Sequence, residues 1–541
     1  MSGTITINSN DLLNAVKPQL LQMPELTQQP YSYIIYTDGT TIYAKNGATG
    51  QIDFSGTDAS TVIQKAINNM TNGGKLLIKA GLYIISSMIY INKSIIFSGE
   101  GYNTILKNQD YTNMNAMIDV TAENVTIENL QIDGNKAKIA VDSSYKNVGI
   151  SVDASNVIIR NNYIHDTYLD GVAGSGISNI IVENNNIWNT GKTGASFAGH
   201  AIYFSYIESS IIRNNILSPS TGESINILGT YRQAYNGHIT RNNIIAENII
   251  INKPILIVGA IGIIIENNLI INSPYPIRLP YSSSSDLSEN IIIVGNMMVG
   301  DGVSTNQYVL IENVNGLSFK DNIMYNCAGG IAVLNGTSIK IDGNLFYNCS
   351  LNSYVIGTSS IDAQISNNKI YKFKNTGSGI RIYAGDVAVF GNEIIQETIG
   401  SEYGIRISTN SIQVYDNKIK NCYYGVYEDS GKDNNIIIRN MLFSCQYPIV
   451  KSGANTIVKY NIGYATEKSG KAVFSGDGTT TQFNIAHGLV STPSKILITP
   501  GSNDAKGTFY ATADTTYIYV NYATAPPTGT NNVVLYWYAE V

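Results

Sequence analysis

Charge is scarce in this chain, and so are the features that mark membrane-spanning, secreted or nucleic-acid-binding proteins. Charged residues make up 14% of the 541 residues, and the net charge of −6 includes no basic cluster, so we expect no nucleic-acid partner. No apolar run approaches the roughly 20 residues that cross a bilayer, so we expect no membrane span. The first residues show no secretory signal peptide, so we expect that a protein working outside a cell would leave by another route, such as virion release.

What the chain has in abundance is a short repeat, in which a brief alternating strand ends at an Asn followed by an apolar residue. The clearest copy is residues 156–164, Asn-Val-Ile-Ile-Arg-Asn-Asn-Tyr-Ile. The repeated Asn then returns in steps of 21 to 29 residues, at Asn186, Asn215, Asn243, Asn268, Asn296, Asn322, Asn344, Asn368, Asn392, Asn417, Asn440 and Asn461. A period of about 20–30 residues is typical of a solenoid, and coils this short have no room for a helix of ten residues.

These repeats predict an all-β fold, a single-stranded parallel β-helix over residues 75–465. Each coil must bend sharply between two strands, and Asn is the non-glycine residue that best tolerates the left-handed backbone of such a bend. On successive coils, about 4.8 Å apart, the Asn side chains would also hydrogen-bond to one another in a ladder.

The four cysteines show no Cys-x-x-Cys pattern, so we expect no metal site, and the sequence indicates no cofactor. Cys327 and Cys349 are 22 residues apart, and Cys422 and Cys445 are 23 apart, which is one coil in each case. Each pair should therefore stack on adjacent coils. Two states fit that stacking: buried thiols, which we favour, and an inter-coil disulfide, since disulfides join Cα atoms about 4.4–6.8 Å apart.

Two segments precede the repeats. We expect residues 1–30 to form a separate arm, either a frayed end or an anchor on a partner. Its apolar residues have roughly helical spacing, but Pro18 and Pro24 interrupt any long helix. Residues 31–74 predict a β-hairpin and then a helix over residues 59–70 that is capped by Asp58. Such a helix would cover the open end of a solenoid, where strand edges and core side chains otherwise meet water.

The segment that follows carries a family resemblance. Residues 73–84, Gly-Gly-Lys-Leu-Leu-Ile-Lys-Ala-Gly-Leu-Tyr-Ile, and residues 95–106, Ile-Ile-Phe-Ser-Gly-Glu-Gly-Tyr-Asn-Thr-Ile-Leu, resemble the start of pectate-lyase-like right-handed β-helices. That superfamily contains pectin-degrading enzymes, polygalacturonases and the tailspikes of phages and viruses, and residues 31–56 joined to this cap are similar to its archaeal branch. The resemblance covers about residues 31–465 and implies a right-handed coil. It implies little about activity, because such folds host many functions.

Residues 466–541 predict a different module. Short alternating strands, broken by turns near Gly478, Pro500 and Pro527, indicate a small antiparallel β-sandwich. Residues 474–489 are similar to C-terminal modules of viral fibre and spike proteins. This resemblance implies a tip that contacts a receptor, or an oligomerisation unit.

An enzyme on this scaffold would hold its carboxyls on an outer face of the solenoid. Reading outward positions from the Gly-Ile pairs that begin the longest strands, we find only Asp153, Glu312 and Asp429, each several coils from the next. Glycoside hydrolysis needs two carboxyls about 5–10 Å apart, and a calcium-dependent lyase needs clustered carboxylates. We therefore lean towards a protein without catalytic activity.

A loop-built catalytic site is the fallback. Asp166 and Asp170 lie close together in the sequence beside His165, and His200 and Glu208 follow one or two coils later. The fallback candidates are thus Asp166, Asp170 and Glu208, although polar residues of this kind more often cap turns.

The middle of the same outer face is more apolar than a solvated surface usually is, with Leu256, Val258, Leu310, Leu334 and Ile356 at outward positions. A contiguous apolar stripe marks a protein contact or a covering loop. We therefore expect a homo-oligomer, with three copies side by side as one arrangement.

Further along, Arg381 and Arg406 should stack on adjacent coils beside Tyr383 and Tyr427. Guanidinium groups next to aromatic faces suit acidic sugars, so these four residues are the predicted ligand-binding site. The alternative is a solvated Arg pair with Asp429 or Glu402 as its partner.

These observations together predict a spike or fibre protein on the virion surface of an archaeal, spindle-shaped virus. The arm would bind other virion proteins, and the rod would bind a glycan or glycoprotein of the host surface. The main alternative is a polysaccharide-cleaving enzyme, either a lyase or a glycoside hydrolase. A cellular surface adhesin is a third hypothesis, which the missing signal peptide disfavours.

Overall fold

The computed structural model describes residues 31–139, 146–195, 197–229, 234–235, 237–280, 287–349, 354–373 and 377–541. The predicted arm, residues 1–30, lies outside the described residues. The chain forms two units, Met1–Ala363 and Gln364–Val541. Both are built from β-strands, and the described residues contain a single α-helix.

The described part of the first unit begins with the predicted cap. Three antiparallel strands come first, at Tyr33–Thr37, Ile42–Asn46 and Ile52–Gly56. Helix α1 follows at Ala59–Asn69, and the Asp58 carboxylate caps it by accepting a hydrogen bond from the Thr61 N–H at 2.7 Å. Ile63 and Ile67 on its apolar side are fully buried. The capping helix is therefore confirmed, and the third strand adds to the predicted hairpin.

After the cap, the first unit winds into a parallel β-helix whose coils pass through three strands in a constant order, which we name face 1, face 2 and face 3. Face 1 contains Gly74–Ile78, Ile95–Gly99, Val125–Glu128, Val157–Arg160, Ile180–Glu183, Ile211–Arg213, Ile244–Ala246, Ile264–Glu266, Ser288–Val294, Val314–Lys320 and Thr337–Asp342. Face 2 contains Gly81–Ile85, Thr104–Asn108, Gln131–Asp133, Tyr163–His165, Asn186–Trp188, Ile216–Ser218, Ile249–Ile251, Leu269–Ile271, Met297–Val299, Ile323–Tyr325 and Leu345–Tyr347. Face 3 contains Ile89–Ile91, Ala116–Val120, Val148–Val152, Val172–Ser178, Ile202–Glu208, Ile225–Leu228, Ile255–Val258, Ile277–Leu279, Val309–Glu312, Ile331–Leu334 and Tyr354–Thr358.

The second unit continues with coils of the same order, after a strand at Ile361–Ser366 that contains the division between the units. Its face 1 contains Val387–Phe390, Gln413–Tyr415, Ile436–Ile438 and Ile457–Lys459. Its face 2 contains Lys369–Tyr371, Glu393–Ile395, Lys418–Lys420 and Met441–Phe443. Its face 3 contains Ser378–Ile382, Tyr403–Ile407, Tyr424–Glu428 and Tyr447–Val450. The predicted parallel β-helix is confirmed in both units.

An asparagine ladder runs along the bend between face 1 and face 2. Within the first unit its members are Asn162, Asn185, Asn215, Asn248, Asn268, Asn296, Asn322 and Asn344, and each Nδ2 donates to the Oδ1 of the next at 2.9–3.1 Å. The second unit repeats it with Asn368, Asn392, Asn417, Asn440 and Asn461. Each Oδ1 also accepts the backbone N–H of the preceding member, as Asn215 does from Asn185 at 2.9 Å. The predicted ladder is therefore confirmed.

The structure corrects which asparagines form the ladder. It also shows that the ladder residue and the residue with the left-handed backbone are two different residues. Asn185 is the ladder member, whereas Asn186 begins the next strand and is half-buried. Asn243 also lies off the ladder, since it accepts from the Ser210 N–H, and Asn248 takes the ladder position. The left-handed backbone belongs to the residue before each ladder Asn, as at Asn184 with φ of 56°.

The cysteines are thiols in this structure, as favoured. Cys327, Cys349 and Cys422 are buried, and Cys445 is partly exposed. The Cys327 thiol hydrogen-bonds to Cys349, and this contact together with burial raises the pKa of the Cys349 thiol well above its usual range. The two therefore stack on adjacent coils.

The C-terminal residues form the predicted β-sandwich. Its strands are Glu467–Gly476, Gln482–Ala486, Lys495–Pro500, Phe509–Ala513, Tyr517–Tyr522 and Gly529–Glu540. They make two three-stranded antiparallel sheets. Ile518 and Val520 of one sheet pack with Val533 and Leu535 of the other in a common buried core, so the sheets lie face to face.

Candidate functional site

Outward side chains on face 3 of the second unit form a column of cations and aromatic rings. Arg381 is in register with Arg406, and Arg406 is in register with Tyr427 on the next coil. The Arg381 guanidinium lies 4.6 Å from the centre of the Tyr383 ring. The predicted stacking of the two arginines is confirmed, and their role in ligand binding stays a prediction.

A tyrosine array that the sequence analysis missed extends this column. Tyr403, Tyr424 and Tyr447 begin three successive strands, and their ring centres are 4.8 Å and 5.4 Å apart in near-parallel stacks. Tyr427 meets Tyr424 edge-on at 4.8 Å, and the Arg406 guanidinium lies 4.8 Å from the Tyr403 ring. The signal that could have found them is Tyr-Gly at 403–404 and 424–425, one coil apart, directly before the inward Ile405 and Val426.

The two arginines differ in their partners. Arg406 Nε donates to Asp429 at 2.9 Å, which matches one alternative in the sequence analysis. Glu402, the other proposed partner, is fully buried and instead accepts the backbone N–H of Gly400 and of Tyr423. The Nε of Arg381 is buried and has no hydrogen-bond partner in the part of the chain that the structure describes.

This arrangement suits a carboxylated sugar chain. Tyrosine offers an apolar ring face with a polar edge, which fits the mixed surface of a pyranose. A guanidinium binds a carboxylate through two parallel hydrogen bonds, which a lysine cannot reproduce. Because Asp429 already holds Arg406, Arg381 is the group best placed to receive an additional anion.

The fallback residues do not converge. Asp166 contacts His165 Nδ1 at 2.7 Å, while Asp170 contacts His200 Nδ1 at 2.8 Å. Glu208 instead pairs with Arg241 at 3.1 Å. The structure thus places Asp166, Asp170 and Glu208 in three separate groups, and none of the contacts among the described residues joins them.

His200 holds together a buried cluster in the first unit. Its Nδ1 faces Asp170 and its Nε2 faces Glu223, each at 2.8 Å, so one imidazole bridges carboxylates on the coils before and after it. Burial by itself lowers the pKa of His200, but hydrogen bonds and attraction from both carboxylates outweigh it and raise the pKa to about 9. The sequence analysis named Asp170 and His200 but missed Glu223, which follows His200 by one coil. An imidazolium that stays charged at neutral pH suits a structural clasp better than a proton-transferring base.

Three residues of the first unit could hold a metal ion. Ligand atoms of Asp133, His165 and Asp166 all lie within 4.8 Å of one another. The chemistry of two carboxylates and an imidazole fits a divalent transition metal. However, Lys107 already pairs with Asp133, and both ring nitrogens of His165 are engaged, by Asp166 and Gln131.

The structure also corrects the reading of carboxyls on the outer face. Asp119, one coil before Asp153, lies on a strand, Ala116–Val120, that does not begin with a Gly-Ile pair, so the sequence pattern does not select it. Its carboxyl hydrogen-bonds to that of Asp153, and burial followed by repulsion from Asp153 raises the pKa of Asp119 to about 6. The statement that the outward carboxyls lie several coils apart was therefore wrong.

The predicted apolar stripe on face 3 is largely present. Leu256, Val258, Leu310 and Leu334 are half-buried outward residues. Ile356 was placed wrongly: it is in register with the inward Ile331 and fully buried. A shift of one residue in strand register turns every side chain to the opposite side.

Among the described residues, no helix has the length and apolar character of a membrane span.

Comparisons with known proteins agree with the fold. Residues 195–346 match the family described as right handed beta helix region, and residues 293–478 match the periplasmic copper-binding protein (NosD) family. No curated protein matches the chain.

Several solved structures are similar in fold. The tailspike gp49 of Pseudomonas phage LKA1 is 11% identical, with 89% of this chain and 92% of that chain covered and a TM-score of 0.44. The Gp54 tailspike of Acinetobacter baumannii bacteriophage AP22, solved with a capsular saccharide, is 12% identical, with coverage of 90% and 94% and a TM-score of 0.41. The A-module of the mannuronan C-5 epimerase AlgE4 of Azotobacter vinelandii is 16% identical, with coverage of 74% and 96% and a TM-score of 0.32. What those proteins bind or modify is a property of each of them.

Proposed function

We propose that this protein is a glycan-binding spike whose face 3 in the second unit binds a carboxylated polysaccharide of a host surface. The observation that carries the proposal is the column of Arg381, Arg406 and Tyr427 flanked by the stacked Tyr403 and Tyr424. Rings and guanidinium groups that repeat at the coil spacing form an extended platform, which suits a repeating polymer better than a small ligand.

The rest of the functional proposal follows from the β-helix. Strands stacked coil on coil make each β-helical unit stiff, which suits a spike. We propose the virion surface of an archaeal, spindle-shaped virus as its location, on the resemblance of the cap segment. Other virion proteins would bind residues 1–30, and a glycan or glycoprotein of the host would bind the rod.

Binding to two polymers tests the site. The full chain should bind polygalacturonate, which is carboxylated, and bind dextran, which is uncharged, at least tenfold more weakly. Replacing Arg381→Gln should weaken polygalacturonate binding about tenfold, which corresponds to about 1.4 kcal/mol, a fair value for one charge-assisted contact. Equal affinity of the wild type for both polymers, or no effect of Arg381→Gln, would refute the proposed site.

A matched control lies in the same unit. Arg439 pairs with Asp416 at 2.9 Å, as Arg406 pairs with Asp429, and lies 5.8 Å from the Tyr415 ring, but it lies in the bend that follows the face 1 strand Ile436–Ile438 and outside the tyrosine array. Arg439→Gln should therefore leave polygalacturonate binding unchanged. A loss equal to that of Arg381→Gln would show a general charge effect.

Electron microscopy of virus particles labelled with an antibody to this protein tests the proposed location.

A polysaccharide-cleaving enzyme is the second candidate, because Asp119 and Asp153 bring two outward carboxyls together on adjacent coils. The two carboxyls are in hydrogen-bond contact, which is closer than the roughly 5 Å separation of retaining glycosidases, so their spacing does not match that mechanism. Incubation with acidic polysaccharides should yield neither new reducing ends nor unsaturated products if the protein only binds. Products that disappear in Asp153→Asn would identify this pair as a catalytic site.

A further inference from the structure

Face 2 of the first unit presents a second and larger apolar surface, which the sequence analysis did not identify. Six successive coils place apolar side chains outward at two positions each, with a single polar exception, Ser218. We name this surface the isoleucine face. One column contains Ile216, Ile249, Leu269, Met297, Ile323 and Leu345, and the other contains Ile251, Ile271, Val299, Tyr325 and Tyr347.

Five of these eleven side chains are exposed and the other six are half-buried among the residues that the structure describes. Ile216, Met297, Ile323 and Tyr325 are 40–43% accessible to solvent, whereas the inward residues between the columns, such as Ile250, are fully buried. An outward strand position that alternates with a buried one normally carries a polar residue. Apolar residues at these outward positions over six coils therefore indicate that a partner covers them.

The isoleucine face has defined limits on one side. Towards the cap, the four coils before it mix polar outward side chains, Lys107, Gln131, Asp133, His165 and Asn186, with the apolar or aromatic Ile105, Tyr163 and Trp188. Five of the eight outward positions in those four coils are polar, against one of twelve, Ser218, in the six coils of the isoleucine face. The isoleucine face is therefore the stretch of face 2 that has lost nearly all of its polar outward residues.

The size of the surface indicates what covers it. Six strands at the usual spacing span about 24 Å, and positions two residues apart lie about 7 Å from each other along a strand. With the breadth of the side chains, the footprint is about 350 Å², which lies within the roughly 300–600 Å² of the largest apolar patch on a typical monomer, a patch that is often functional. A stable interface covers about 800 Å² of each partner, so this patch would form its apolar centre.

We propose that the isoleucine face is the contact through which copies of this chain associate side by side. The strands of each coil already satisfy their backbone hydrogen bonds with the coils above and below, so an added peptide strand has no edge to pair with. A sugar chain finds few hydrogen-bonding groups there. A surface corrugated at the strand spacing packs best against another surface with the same spacing. The β-helix of a second copy of this chain has such a surface.

The mass of the full chain in solution tests this inference. Light scattering after gel filtration should give a multiple of 58.7 kDa. The double variant Ile249→Lys with Ile323→Lys places two ammonium groups within the face and should give the single-chain mass with an unchanged circular dichroism spectrum. Leu82→Lys is the matched control, since Leu82 is outward on the same sheet and 54% exposed but lies in the first coil beyond the polar ones. It should leave the mass at the wild-type value.

Cross-linking supplies a measurement that does not depend on charged substitutions. Met297→Cys introduces a thiol at an exposed position of the face, and a short thiol-reactive cross-linker should join chains in that variant but not in Leu82→Cys or the wild type. A wild type of single-chain mass, or an assembly that survives the double lysine variant and gives no Met297→Cys cross-link, would overturn the proposal. Glycan binding in the second unit is measured separately, so either proposal can fail alone.

Discussion

The clasp around His200 gives a prediction with a definite sign. Asp170 and Glu223 raise the pKa of His200 from 6.5 to about 9 in the folded protein. The folded state therefore binds the proton more tightly than the unfolded state. The resulting stability is complete below about pH 6.5 and is lost as the pH rises through about 9. A shift of about 2.5 pKa units corresponds to about 3 kcal/mol.

The assay compares unfolding midpoints in urea between pH 6 and pH 10, for the wild type and His200→Gln. We expect the free-energy difference between the two proteins to shrink by about 3 kcal/mol over this range, because only the wild type loses an imidazolium. Groups that titrate in both proteins cancel in the difference. The exposed pair of Arg439 and Asp416 provides the control: Asp416→Asn should cost no more than about 1 kcal/mol at any of these pH values.

Nuclear magnetic resonance gives an independent reading of the same group. The chain has four histidines, so selective labelling of their rings yields few signals, and His200→Gln assigns one of them. A His200 signal that titrates near pH 6.5 would refute the bridged imidazolium. So would a stability difference that does not change with pH.

Three further changes test the fold at single residues. Asn185→Ala removes a ladder member whose Oδ1 and Nδ2 bond to both neighbouring coils, so it should cost about 3 kcal/mol in urea unfolding, whereas Asn186→Ala should cost less than about 0.5 kcal/mol. Glu428→Gln should cost about 3 kcal/mol, since the buried carboxylate accepts four hydrogen bonds, two of them from the backbone N–H groups of Ser452 and Gly453 at 2.6 and 2.7 Å. Asp119→Asn should raise stability at pH 7.5 by about 1 kcal/mol after solvent screening, because the raised pKa means that the folded state disfavours the Asp119 carboxylate, and this gain should decline as the pH falls through about 6 and vanish below the unfolded pKa of 3.8. An unchanged midpoint for Asn185→Ala or Glu428→Gln, or an undiminished gain for Asp119→Asn at about pH 3, would contradict these assignments.

The sequence by itself determined the class of fold. A strand can be short and still be stable when identical strands lie above and below it, so the repeat of Asn and apolar residues is enough to predict a parallel β-helix. The cap helix was equally readable, since a capping Asp and an apolar spacing are local signals. The stacking of Arg381 on Arg406 followed because the coils between residues 378 and 428 are regular.

Only the tertiary structure decided which residues meet across coils of unequal length. The ladder steps from Asn185 to Asn215 to Asn248 to Asn268 are 30, 33 and 20 residues, so a constant period selects Asn243 instead of Asn248. The same irregularity hid the contact of Asp119 with Asp153 and of His200 with Glu223. It also hid the isoleucine face, whose apolar residues alternate with core residues and look like ordinary interior positions. A shift of one residue exchanges inside for outside, and loop lengths that only the folded coil reveals determine that shift.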